Sequence, residues 1–198
     1  MINYGCISSN ILIEINNNIN NRIIDNRIDQ IVNTLKCPII NYNDEIIKVI
    51  NTMNKYSFEK RVEISEKYDD VIPNFLEVNN SIDINTVYLL KDICNKLVAK
   101  LKIKFNLPRP FQISYKYGKC IYPISLKTTH SPTLPSGHTS LYYLLYLYFS
   151  KIDIKNKDKY KNIYLKGAES RIIGGNHFYI DNYYSIIIID EIKDLLNL

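Results

Sequence analysis

The stretch Pro135-Ser136-Gly137-His138-Thr139-Ser140-Leu141-Tyr142-Tyr143-Leu144-Leu145-Tyr146-Leu147-Tyr148-Phe149 decides how this chain is read. Pro135 restricts the direction in which the backbone arrives. Ser136 can cap a following helix, and Gly137 lets another group approach the backbone closely. His138 then falls in the first turn, and the apolar run from Leu141 to Phe149 continues the helix. The free N–H groups and positive dipole end of such a helix favour an anion. Ser136 hydroxyl, Gly137 N–H and His138 imidazole together look like a phosphate seat with its own proton donor.

Outward from this turn the pattern is helical. Ile24, Ile28, Ile31, Val32 and Leu35 lie on one stripe that Pro38 ends, and Asn43-Asp44 starts a second helix with Ile46, Val49, Ile50 and Met53 inward. Ser57 starts a third, with Phe58, Val62, Ser65, Tyr68 and Ile72 at helical spacing up to Pro73. Asn85 reads as the cap of a central helix lined by Val87, Leu90, Ile93, Cys94, Leu97, Val98 and Leu101. Phe111 to Thr133 shows no helical period and reads as a loop rich in Tyr and Lys, carrying His130. It is expected to pack on the protein as a lid, the alternative being that it dips into a membrane interface. After the helix that ends near Ser150, Lys157–Ile173 predicts another helix, broken by Gly174-Gly175. Phe178–Leu195 predicts the last. Ile11, Leu12, Ile13 and Ile15 form either a short strand or an irregular apron. The fold class expected is all-α: a compact helical bundle, one domain over 1–198, with N-terminal helices in 1–84 and a motif-bearing core in 85–190.

Composition excludes several functions. The net charge of +5, from 25 Lys and Arg against 20 Asp and Glu, favours anionic partners without singling out nucleic acid. No basic-aromatic block is long enough for RNA or DNA. Cys6, Cys37, Cys94 and Cys120 form no Cys-x-x-Cys pair and have no His at zinc spacing, so they read as reduced structural thiols. No signal-peptide pattern is seen, and the longest apolar runs fall short of the ~20 residues that span a bilayer. A cytoplasmic location follows as an expectation, with peripheral membrane contact open and the oligomeric state unknown.

Two further blocks supply what the Pro135–His138 seat lacks. Upstream, Lys102 falls on the last turn of the central helix, and Arg109 lies beyond it between Pro108 and Pro110. A point charge and a planar fork can converge there on one anion. Lys104 is the poorer candidate on spacing. Downstream, Ser170-Arg171 is followed by His177 and Asp181. Four residues apart, the last two can share one helix face, so that Asp181 accepts Nδ1–H and leaves Nε2 with a nucleophilic lone pair. No carboxylate cluster suited to a two-metal site is apparent, and no cofactor is expected.

Lys102-x6-Arg109-Pro110, Pro135-Ser136-Gly137-His138 and Ser170-Arg171-x5-His177-x3-Asp181 fill every position of the motif set they resemble. That set is the one of the superfamily of type 2 phosphatidic acid phosphatases, class A acid phosphatases and vanadium-dependent haloperoxidases. The resemblance covers about Asn85 to Asp190. It implies an all-helical, metal-independent phosphohydrolase acting on a phosphorylated small molecule or lipid head group. In that reading His177 attacks phosphorus to form a phosphohistidine, Asp181 orients it, and His138 protonates the leaving group. Lys102, Arg109, Arg171, Ser136 and Gly137 cradle the phosphoryl oxygens, and Ser170 supports helix packing. Vanadate is expected to inhibit as a transition-state mimic. Two alternatives stand beside it: a haloperoxidase holding vanadate in the same cradle, and a non-catalytic phosphate-binding module. Haloperoxidases of the superfamily are much larger chains, so length favours the phosphatase.

Overall fold

The Ile24–Val32 stripe forms helix α1 (Arg22–Thr34), in which Ile28 and Ile31 are fully buried. Each such side chain contributes about 1.5–3 kcal/mol by leaving water. Helix α2 (Tyr42–Met53) is capped by Asn41 rather than Asn43, its side chain accepting the Asp44 N–H. Ser57 caps α3 (Phe58–Lys67) as the sequence predicts. The computed structural model describes residues 22–126, 128–196 and 198, apart from the side chain of residue 23. The strand-or-apron reading at Ile11–Ile15, Cys6 and the loop residue Lys127 lie outside these residues.

One stripe in the sequence is two helices in space. The third helix does not run to Pro73: α3 stops at Lys67, and a short α4 (Val71–Leu76) carries Pro73 inside it. Pro73 is its third residue, where a backbone N–H has no partner within the helix, so a proline costs nothing there. The break between the two helices places Asp69 outside regular structure.

The central helix α5 (Ile84–Phe105) is capped by Asp83 rather than Asn85, the carboxylate accepting from the N–H groups of Asn85 and Thr86. It ends at Asn106 in the left-handed conformation, φ 44°. Lys96, Lys100 and Lys104, one turn apart, clamp α1 onto it: the first two pair with Asp25 and Asp29, and Lys104 binds the carbonyls that end α1, including that of Leu35 at 2.7 Å. Lys104 is thus turned away from the site, as its spacing suggested.

The 111–133 segment is not all loop. One turn, α6 (Pro110–Ile113), starts at Arg109 and runs into a 3₁₀ turn at Ser114–Tyr117. These turns are too short to show a helical period. Then follow α7 (Gly137–Ile152), a 3₁₀ turn at Ile154–Asn156, α8 (Lys157–Ile173) and α9 (Tyr179–Lys193). Among the described residues there is no strand.

Helix α7 is the hub, packed against α5, α8 and α9 in one all-α bundle. At Gly167 of α8 the two helices approach so closely that a Cβ would lie 2.4 Å from the Tyr142 ring of α7. A large core containing Leu97, Leu101, Leu134, Leu141 and Leu145 fills the bundle. A smaller one gathers Ile46, Val49, Met53, Ile113, Ile121, Ile172 and Phe178. The three motif blocks adjoin these cores in sequence: Lys102 follows Leu101, Ser136 follows Leu134-Pro135, and His177 precedes Phe178.

Candidate active site

Ser136 caps α7 as the sequence predicts, its Oγ accepting the Thr139 N–H at 3.3 Å and lying 3.0 Å from the Thr139 hydroxyl oxygen. The cap is seated on α9: Ser185 Oγ donates to the Ser136 carbonyl at 3.0 Å, and Thr139 Oγ1 donates to Asn182 Oδ1 at 2.7 Å. The second and third motif blocks are therefore locked together by buried hydroxyls. At Gly137 a Cβ would meet only Val98 Cγ1, at 3.5 Å. Neither packing nor backbone angle requires glycine there.

His177 lies just before α9 rather than on it, because Phe178 is the residue that starts the helix. The pairing with Asp181 forms nonetheless: Nδ1 is 3.1 Å from Asp181 Oδ2. The same oxygen accepts the Phe178 N–H at 2.8 Å and the Thr133 hydroxyl at 2.5 Å. A carboxylate oxygen can only accept, so Nδ1 carries the proton. Nε2 faces Arg109 Nη1 at 3.2 Å, a donor, and so holds the lone pair. Burial pushes the imidazole pKa well below its usual value, and the charges of Arg109, Lys102, Arg171 and His138 push it further. The ring is neutral at neutral pH. Of the sequence-predicted residues, Arg109 and Asp181 contact this ring directly.

Arg109 is 2% exposed. Its Nε donates to the Ser131 carbonyl at 2.8 Å and its Nη1 to the Asn176 carbonyl at 2.8 Å, which fixes the fork against His177. Lys102, also buried, directs Nζ at the carbonyls of Pro132 and Thr133. Burial and the Arg109 charge push its pKa well down, against the pull of Asp181. Arg171, 1% exposed, donates Nη1 to Asp69 Oδ1 at 3.3 Å, while its buried Nε has no hydrogen-bond partner among the described residues. Ser170 Oγ donates to the Gly167 carbonyl at 2.7 Å, a packing role within α8.

His138 reaches across to the break between α3 and α4. Its Nε2 lies 3.0 Å from the Asp69 carbonyl and 3.2 Å from Asp69 Oδ1. Both are acceptors here, so Nε2 bears the proton and Nδ1 is the free ring nitrogen. Burial lowers the His138 pKa, as does Arg171, and Asp69 opposes them. Asp69 in turn is held below the usual carboxylate range, first by its bond with His138.

Asp69 and Thr133 were not singled out from sequence. Asp69 sits among ordinary helix-end residues with no motif around it, and only the chain fold brings it to His138 and Arg171. Thr133 stands two residues before Pro135, and that nearness was the one available signal. Burial raises the Asp181 pKa to about 6, with Thr133, the Phe178 N–H and the cations opposing. His130, the third histidine, is exposed and outside this constellation.

Among the described residues no group of three His, Cys, Asp or Glu side chains is placed to hold a metal ion. No helix among them is long and apolar enough to cross a membrane. No protein-family model matches the chain, and no curated protein is similar to it.

Proposed function

We propose that this chain is a metal-independent phosphoester hydrolase working through a phosphohistidine, of the superfamily its three motifs resemble. One observation carries the reading. Three buried basic side chains, Lys102, Arg109 and Arg171, stand with two carboxylates, Asp181 and Asp69, around a neutral imidazole whose Nε2 lone pair faces Arg109 Nη1 at 3.2 Å. A positive charge left unbalanced away from water is costly, and a bound anion supplies the missing counter-charge. The unpartnered Arg171 Nε offers a further donor to such an anion.

His177 Nε2 attacks phosphorus; the N–P bond forms as the P–O bond to the leaving group breaks. Asp181 offsets the charge that develops on the ring. His138 in its protonated form gives the Nδ1 proton to the departing alkoxide, then takes one from water as that water attacks. The second attack breaks the N–P bond and returns the lone pair to Nε2. Arg109, Arg171 and Lys102, with Ser136 hydroxyl and Gly137 N–H, carry the equatorial oxygens.

The test is His177→Ala, assayed with nitrophenyl phosphate in the presence of a chelator. Turnover falls by about 10³-fold or more, and the acid-labile, alkali-stable phosphoenzyme disappears, while circular dichroism stays helical. Normal turnover in that variant ends the proposal.

A further inference from the structure

The segment that begins at Arg109 packs on the protein through Ile113, Ile121 and Ile124 but carries an exposed tip. Tyr115-Lys116-Tyr117-Gly118-Lys119-Cys120 are six consecutive exposed residues. Tyr115 is 66% exposed and Tyr122, just beyond, 73%. Three of the six tyrosines that stand out of the surface among the described residues, Tyr115, Tyr117 and Tyr122, fall within these eight positions. The tip is nonetheless held in shape. Ser114 and Ile113 are buried beneath it, Gly118 (φ 65°) closes the turn, and Lys119 N–H returns to the Ser114 carbonyl at 3.1 Å. Buried Ile121 and Ile124 turn Tyr122 outward, and Arg61 Nη2 pins the Tyr122 carbonyl at 2.7 Å.

Exposed tyrosine alone is ordinary in a chain with 17 of them. The charge around these rings is what selects a partner. Between Asp92 and Asp153 the sequence contains no Asp or Glu, while the tip carries Lys116 and Lys119. The turn packs on α2, whose Glu45 is buried and tied to Lys48 and the Ile180 N–H. Asp44 of α2 is exposed, and on α3 Glu63 is paired with Lys60 while Glu59 and Glu66 are exposed, beside an exposed Phe58 that stacks on Arg61, so the positive charge is confined to the tip itself. Amphipathic rings with cations among them match a surface that is anionic outside and apolar beneath. Four residues of α6 and four of the 3₁₀ turn put the tip within about 14 Å of Arg109 along the chain.

We propose that the Tyr115–Tyr122 tip docks this protein onto anionic lipid bilayers, with the tyrosines at head-group depth and Lys116 and Lys119 against lipid phosphates. The inference does not rest on the proposed hydrolysis. The experiment is co-flotation of the full chain with vesicles of phosphatidylcholine alone or mixed with phosphatidylglycerol, at low and high salt. Wild type is expected to float with the mixed vesicles and to be released by salt. Lys116→Glu/Lys119→Glu and Tyr115→Ser/Tyr117→Ser/Tyr122→Ser are each expected to weaken partitioning by about tenfold or more, each lysine near an anionic surface being worth about fivefold. Both variants keep turnover of a soluble phosphoester, and His177→Ala floats like wild type. No flotation with mixed vesicles, or flotation unchanged in both tip variants, overturns the proposal. Self-association that the tyrosine variant abolishes would assign the tip to a second copy instead and overturns it too.

Discussion

His138 is bonded through one ring nitrogen to both acceptors of Asp69, the carbonyl at 3.0 Å and the carboxylate at 3.2 Å, although 69 positions separate them. The same carboxylate holds Arg171. A single acidic residue therefore orients the proposed general acid and one arm of the proposed phosphate cradle. It does so from a break in what the sequence presents as one continuous helical stripe.

Asp69→Asn removes the charge that stabilises protonated His138. The His138 pKa should fall further below its usual value, since loss of a neighbouring negative charge disfavours the cation. Alkyl phosphates, which need a proton on departure, lose about 10–100-fold in kcat/KM, and nitrophenyl phosphate loses much less. Histidine-resolved NMR titration and the two substrate assays check this. An equal loss on both substrates would remove the acid role from His138.

The pH profile should be bell-shaped for alkyl phosphates. Asp181 must be ionised to support His177, and its pKa is raised to about 6, so activity climbs as pH rises through that value. His138 must be protonated, and its pKa is lowered from 6.5, so activity falls as pH rises through it. The two limbs overlap in a narrow acidic optimum. His138→Gln should abolish the descending limb and leave the ascending one; a wild-type profile in that variant contradicts the assignment.

Thr133→Val takes away one of the hydrogen bonds to the Asp181 carboxylate. Loss of a donor to the charged form raises the pKa further, so the ascending limb moves to higher pH. Asp181→Asn keeps an oxygen for the Phe178 N–H, and the fold should survive. The His177 tautomer is no longer enforced, and kcat falls by about 10²–10⁴-fold. Rate profiles of the two variants across pH separate these effects.

Vanadate should inhibit without added metal, and a chelator should leave its potency unchanged, because the cradle is made of side chains and an N–H. Arg171→Ala should weaken that inhibition more than it weakens binding of phosphate product. Equal weakening would place Arg171 in ground-state binding only.

Gly167→Ala tests the α7–α8 contact. The Tyr142 ring has no room to yield, since its hydroxyl bonds the Tyr68 carbonyl and Asn74, each at 3.1 Å. Overpacking there should cost about 1–3 kcal/mol despite the better helix propensity of Ala. Thermal unfolding measures it, and an unchanged midpoint would mean the helices separate freely.

Much of this protein is local, and local features are written in the chain. Ser57 and Ser136 announce their helices because a hydroxyl satisfies free N–H groups a few residues on, and Lys157–Ile173 follows from periodicity and the Gly174-Gly175 break. Lys102, Arg109, Ser136, Gly137, His138, Arg171, His177 and Asp181 stand out as a candidate site because of their spacing. Other features depended on distance in sequence. Asp69 meets His138, Thr133 meets Asp181, and Arg61 reaches Ile173 and Tyr122 only once helices from separate parts of the chain have packed. Hydrogen bonds between such residues leave no mark on any short window. The exposed Tyr115–Tyr122 tip was decided the same way: whether a tyrosine packs inward or stands in solvent depends on which neighbours the fold supplies.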